Sequence, residues 1–203
     1  MQKEIISSLL KSQKTYNRGM IVLAGASASG KTEVAKELAK RYGITKVITT
    51  TTRNIRVGEV NGRDYFFVSK ERFEEMIKEG RFVEHTLYNE NYYGSTKDQI
   101  APNKCVVIDP KGLKAYIALN DPNIVTFFLD SKEETRYARM LQRGDNPEDA
   151  KRRIEHDRTA FKPENVADVD YHADSENFNV EEVTDYIYKK YLQILESRKL
   201  AKK

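Results

Sequence analysis

Residues 25–32, "GASASGKT", follow the apolar run "GMIVLA" and lead into "EVAKELAKRYG". Gly25, Gly30, Lys31 and Thr32 fall at the spacing G-x-x-x-x-G-K-[ST], the phosphate-binding loop. No other feature of the chain limits its fold as much. Such a loop works between a buried strand and a helix, where backbone N–H groups and the positive helix end converge on phosphate oxygens. Both neighbours are present. Gly19 to Ala24 is a short β-branched apolar run, which predicts a buried strand. Val34, Leu38 and the nearby alanines recur at helical spacing, and the pattern stops at Gly43. Gly25, Ala26, Ser27, Ala28, Ser29, Gly30, Lys31 and Thr32 are therefore expected to hold nucleotide phosphates. Lys31 is placed to bridge the β- and γ-phosphates, and the Thr32 hydroxyl to coordinate Mg²⁺.

Strand and helix signals alternate beyond the loop. "TKVITTTTR", "DYFFV" and "RFVEHTLY" form a β-rich stretch, and "SKERFEEMIKEG" reads as a helix with Ser69 as N-cap and Gly80 as stop. "CVVIDPKG" and "NIVTFFLD" read as buried strands. "SKEETRYARMLQRG" and "PEDAKRRIEHDRTAF" are charged helices separated by "GDN", and "VEEVTDYIYKKYLQILESRK" is an amphipathic closing helix. "EIISSLLKS" predicts a short lead-in helix with Ile5, Ile6, Leu9 and Leu10 on one face. This order implies a parallel sheet covered on both faces, with its site beyond the carboxyl ends of the strands. Residues 25–32 and Asp109 both lie at such ends. Asp109 is open to two readings: a ligand for a metal or its water, or a turn aspartate ahead of Pro110.

The 203 residues suffice for one substantial core, and 33% charged against 39% hydrophobic residues is a globular balance. A net charge of +4 gives little support to nucleic-acid binding. The single cysteine, Cys105, excludes an intramolecular disulfide and fits a reducing, cytoplasmic setting. No apolar stretch reaches the roughly 18 residues of a membrane helix, and "EIISSLLKS" is too short and interrupted for a signal-peptide core. His85 and His172 show no metal-ligand spacing.

Residues 49–96 carry the signal for a second anion site. Arg53 and Arg56, in the loop that "NIRVGEVNG" suggests, can wrap one anion as a charge-assisted clamp. Tyr65 and Tyr93 add neutral donors. Glu84 follows the apolar Phe82 and Val83 on a strand, so it is expected to be half buried and to need a donor partner. The N1–H and amino group of guanine form a two-donor edge that a carboxylate matches.

From about residue 18 onward the chain closely resembles the guanylate kinase family. The resemblance is carried by Thr51-Thr52-Arg53, Arg56, Gly58-Glu59, Asn61-Gly62, Asp64-Tyr65, Phe82-Val83-Glu84 and Asn91-Tyr92-Tyr93-Gly94-Ser95, together with the phosphate loop. It implies an α/β fold: a P-loop NTPase three-layer parallel-sheet core, an inserted β-rich GMP-binding subdomain and a helical lid. The domain would span 19–203, with core 19–48, 97–134 and 159–203, insert 49–96 and lid 135–158, after an N-terminal extension 1–18. The activity implied is phosphate transfer from ATP, bound with Mg²⁺, to GMP, by a monomer or homodimer without nucleic acid or membrane. Arg53, Arg56, Tyr65 and Tyr93 would hold the GMP phosphate; Thr49, Glu84 and Ser95 would read guanine, with Asp109 also at the acceptor site. Arg139 and Arg143, four apart on one helix face, and Arg153 on the next helix would close over the transferred group. Closure of the insert and lid around the substrates would exclude water.

The chain departs from the family pattern at Val107 and Lys111, where an acid and a glutamine are common, and at Ala26 and Ala28 in the loop. Ala173-Asp174 stands where Asn-Asp is frequent. Two other readings are open at this level: a non-catalytic binding module whose acceptor cleft holds phosphopeptides, and a kinase with another small phosphorylated acceptor. The intact Lys31 and Thr32 favour turnover.

Overall fold

The computed structural model describes residues 19–88 and 90–201, so the expected Ile5–Leu10 helix lies outside the described residues. Along the chain run β1 (Met20–Ala24), α1 (Lys31–Tyr42), β2 (Thr45–Lys46), β3 (Thr50–Thr51), β4 (Phe66–Phe67), α2 (Lys70–Lys78), β5 (Phe82–Tyr88) and β6 (Asn91–Thr96). Then come β7 (Lys104–Val107), α3 (Pro110–Ala118), β8 (Ile124–Asp130), α4 (Glu133–Gln142), α5 (Pro147–Ala160), β9 (Tyr171–Asp174) and α6 (Val180–Leu200).

The strands form two sheets. One has the order β2-β7-β1-β8-β9, with every pairing parallel. Side chains of β1 alternate between its faces, as strand geometry requires. Ile21 and Leu23 pack with Val34 and Leu38 of α1 and Ile187 and Tyr191 of α6. Met20, Val22 and Ala24 pack with Leu113 and Tyr116 of α3. Both faces are thus covered, which makes the core three layers and explains why its strands read as continuous apolar runs. Cys105 sits in this core fully buried, and burial pushes its thiol up to about 12. It is a small core residue, not a reactive thiol.

The second sheet has the order β4-β3-β6-β5. The run "TKVITTTTR" does not form one strand. Thr45 and Lys46 pair with β7 in the first sheet, whereas Thr50 and Thr51 pair with β6 and β4 in the second. Between them Val47 still donates to the Cys105 carbonyl, so the chain leaves one sheet and enters the other within a few residues. Propensity marks such a run as β-rich but carries no signal for which sheet claims each residue. Helix α2 packs here through Phe73, whose ring stacks 4.3 Å from Phe82 and 5.1 Å from Tyr92. Ser69 caps α2, its Oγ accepting from the Arg72 N–H. A Cβ on Gly94 would lie 2.7 Å from Phe82 Cδ1 and 2.9 Å from the Glu84 carbonyl. Strand β6 lies against β5 and the Phe82 ring only because that position is glycine.

Helices α4 and α5 pack on each other through Met140, Ala150 and Ile154, and onto Ala28 of the loop after β1. Among the described residues no helix is long and apolar enough to cross a membrane.

Candidate active site

Strand β1 ends at Ala24, and the chain enters the glycine loop at the carboxyl edge of the first sheet. A Cβ on Gly25, whose φ is 144°, would fall 2.8 Å from both the Leu129 carbonyl and Ser29 Oγ, so the loop closes only on glycine. Ala28 has φ 59°, the left-handed region in which glycine is the default. The alanine noted there in the sequence therefore carries some backbone strain. Lys31 opens α1 and turns back over the loop, donating to the Gly25 carbonyl at 2.6 Å and the Ala26 carbonyl at 2.7 Å. Burial lowers its pKa to about 8; Asp157 counteracts this, while Arg136 and Arg153 add to it.

Facing the loop is the second sheet. Glu84 on β5 stands opposite Ser95 on β6, just after a bulge between Phe82 and Glu84. Such a bulge re-aims the side chains that follow it. Glu84 Oε1 accepts from the Ser95 N–H at 3.0 Å and the Ser95 hydroxyl at 2.7 Å. Burial raises the pKa of Glu84, and the Ser95 bonds oppose that rise; Asp109 raises it further and Lys111 lowers it. Oε2 stands outside the Ser95 pair.

One cavity of about 750 Å³ joins the two sides, lined by Gly25, Ser27 and Lys31 from the loop and by Thr49, Tyr65, Glu84, Tyr93 and Ser95 from the insert. Asp109 lines it too, while its Oδ1 accepts from the Gly112 N–H at 2.7 Å and caps α3. The turn-aspartate reading thus describes one of its oxygens. Lys111 and Lys114 of α3 and Lys46 of β2 also line the cavity.

The arginines expected at the site stand around this cavity and not among its lining residues. Arg53 pairs with Glu59 at 2.7 Å and lies 5.4 Å from the Tyr65 ring. The Tyr65 and Tyr93 rings meet edge-on at 6.2 Å, so Arg53, Tyr65 and Tyr93 are gathered in one place. Arg56 is tied to the same Glu59 through its backbone N–H. Glu59 is the organiser of this corner, a role sequence reasoning missed because it registers there only as one letter of the motif. Arg143, which caps the C-terminus of α4, and Arg153 on α5 both pair with Asp145, at 2.6 and 3.0 Å. Arg139 instead donates to the Ser175 carbonyl at 2.6 Å. Arg152, on the exposed face of α5, pairs with Asp149.

Sequence reasoning also missed Arg136 and Asp157. They pair at 2.9 Å, both buried, and Asp157 accepts from the Ser27 N–H at 2.7 Å. A signal for Asp157 was present: Ala150, Ile154 and Asp157 recur at helical spacing and form the buried stripe of α5. An acid on an apolar stripe requires a partner.

Comparison with known proteins places the chain by sequence and fold. A family model described as guanylate kinase matches residues 17–190. A guanylate kinase of Wolbachia pipientis wMel is 30% identical over 188 residues, 88% of this chain and 94% of its own length. One from Clostridium perfringens strain 13 is 33% identical over 180 residues, covering 84% and 82%. The crystal structure of guanylate kinase from Anaplasma phagocytophilum superposes with a TM-score of 0.58 at 26% identity, covering 87% of this chain and 86% of that one. The chain belongs to the guanylate kinase family.

Proposed function

We propose that this protein transfers the γ-phosphate of ATP to GMP, giving ADP and GDP. The observation that carries the reading is the single cavity with Lys31 of the phosphate loop on one wall and the Glu84–Ser95 pair on the other. The donor's phosphates lie along residues 25–32, and Lys31 exchanges its loop carbonyls for phosphate oxygens. GMP enters from the insert. Glu84, oriented by Ser95, accepts from the guanine N1–H and amino group through its carboxylate, with Thr49 beside it. Arg53, Arg56, Tyr65 and Tyr93 take the GMP phosphate, for which Glu59 must yield Arg53. Transfer is in line, with no covalent enzyme intermediate; positioning and charge neutralisation lower the barrier. Arg139, Arg143 and Arg153 leave their present partners and close over the moving group. Residues 49–96 act as the acceptor subdomain and 135–158 as the lid.

Guanylate kinases are phosphotransferases that generally use a divalent metal with ATP. Among the described residues no three His, Cys, Asp or Glu side chains gather into a metal cage. The Thr32 hydroxyl next to Lys31 fits an ion that keeps most of its ligands as water and substrate phosphate, as Mg²⁺ does. Thr32 would hold it, and the ion would neutralise phosphate charge during transfer.

The same site gives a proton signature. With Lys31 lowered to about 8, only part of the protein carries the ammonium at that pH, and bound phosphate restores it. Binding of ATP at pH 8 should therefore take up about half a proton. Calorimetry in buffers of different ionisation enthalpy reads this directly, and zero uptake would contradict the placement of Lys31.

The reading as a whole is tested by a coupled assay with ATP and Mg²⁺ against GMP, dGMP, AMP, CMP and UMP. GMP should be the preferred acceptor. Equal rates with AMP would overturn the guanine assignment, and no turnover with any of them would favour a binding module.

A further inference from the structure

Ser27 stands in a loop whose N–H groups are built to meet phosphate oxygens, yet its N–H is already taken by a carboxylate. Asp157 Oδ2 accepts from the Ser27 N–H at 2.7 Å, and Oδ1 from the Ser27 hydroxyl at 3.2 Å. The carboxylate comes from α5, 130 residues away in sequence. It lines the same cavity as Lys31 while being only 5% exposed. Behind it Arg136 donates to Asp157 Oδ2 at 2.9 Å and toward the Ser27 carbonyl at 3.4 Å. Arg136 is itself 7% exposed, and its buried Nε has no hydrogen-bond partner. An unmatched guanidinium N–H in a dry setting is costly, so this arginine has a donor left for another acceptor.

We propose that Arg136 is a further phosphate-binding arginine of the donor site, and that Asp157 occupies a phosphate oxygen's seat on Ser27 until the donor arrives. The inference rests on the phosphate-loop reading above. A carboxylate and a phosphate oxygen are both anionic acceptors, and each satisfies a backbone N–H and a guanidinium by charge-assisted bonds. They cannot share one N–H at full strength. Donor phosphate therefore displaces Asp157 from Ser27, and the pairing capacity of Arg136 passes to the phosphate. In the empty protein the buried guanidinium is never left without an anion, which avoids the large cost of an unpaired buried charge. Arg136 lies one helical turn before Arg139 on α4, so the exchange takes place beside the lid arginines.

The test is calorimetric titration of the full chain with ATP and Mg²⁺, without acceptor, with a thermal melt for every variant. Asp157→Asn keeps the shape and an acceptor for Arg136 but removes the competing charge, and it should bind ATP about ten-fold more tightly. Asp157→Ser, run in parallel, should shift affinity in the same direction. Glu155→Gln removes the same charge from an exposed position on the same helix and should change affinity by less than about two-fold. Adding Arg136→Gln to Asp157→Asn should weaken binding at least about ten-fold relative to Asp157→Asn alone. Unchanged or weaker binding by Asp157→Asn would overturn the proposal, because a carboxylate that merely braces the loop predicts loss. A double variant that binds as well as Asp157→Asn would remove Arg136 from the donor site. Failure of the unmodified protein to bind ATP would instead overturn the phosphate-loop reading itself.

Discussion

Replacing Lys31 with alanine should lower kcat/KM for ATP by on the order of 10³ while leaving the protein folded. The expectation of folding comes from burial. The ammonium is buried against the Gly25 and Ala26 carbonyls, and its pKa is depressed to about 8 by desolvation. The unfolded chain therefore binds the Lys31 proton more tightly than the folded one, and between pH 8 and the ordinary lysine range this group's contribution to stability rises with pH. Below that window the charged side chain is a cost, so alanine should leave Tm unchanged or raise it slightly at neutral pH. Activity should move the other way. Phosphoryl transfer offers the protein little covalent chemistry to perform, and a cation on the bridging phosphates is among the main terms it supplies. Steady-state kinetics together with a thermal melt separate the two effects. Turnover within about ten-fold of the unmodified protein would mean that phosphates do not lie along this loop.

Much of this site was legible in the sequence. The loop, its strand and its helix could be read because each obeys a local rule: glycine spacing, β-branched run and helical periodicity. The residues expected to bind the acceptor phosphate were picked out through a motif, and three of them, Arg53, Tyr65 and Tyr93, meet in one corner. What escaped was set by long-range pairing. The split of "TKVITTTTR" between two sheets depends on β7 and β6, whose pairing residues lie 42 to 59 positions later in the chain. The Arg136–Asp157 pair joins two helices whose surfaces otherwise read as solvated charge. The arginines expected in a lid also have partners that no local rule gives: Asp145 for Arg143 and Arg153, and the Ser175 carbonyl for Arg139.

Glu84→Gln should reduce kcat/KM for GMP by on the order of 10² and erode the preference over AMP, with kcat/KM for ATP hydrolysis in the absence of acceptor unchanged. A carboxylate accepts two N–H bonds from guanine, whereas an amide presents one acceptor and turns donors toward donors. The substitution is close to isosteric, and the amide oxygen can still accept from Ser95, so the strand pair should survive. The pH profile adds a second reading. Burial lifts the Glu84 pKa above the usual carboxylate range, while the Ser95 bonds oppose that rise. Its ionised form, the one that reads guanine, is lost on acidification earlier than for an ordinary glutamate. KM for GMP should therefore begin to rise on the acid side at a pH above the normal glutamate value, and this inflection should vanish in Glu84→Gln. An identical acid limb in both proteins would assign the inflection to another group.

Phosphorus NMR of the protein mixed with ATP, Mg²⁺ and GMP tests the central claim most directly, since it follows the transferred phosphate itself. Transfer between two facing nucleotides predicts that the GMP and ATP signals fall together while GDP and ADP grow in equal amounts, with little inorganic phosphate. Growth of inorganic phosphate with GMP untouched would contradict the account, because the γ-phosphate would then be passing to water and not across the cavity between Lys31 and Glu84.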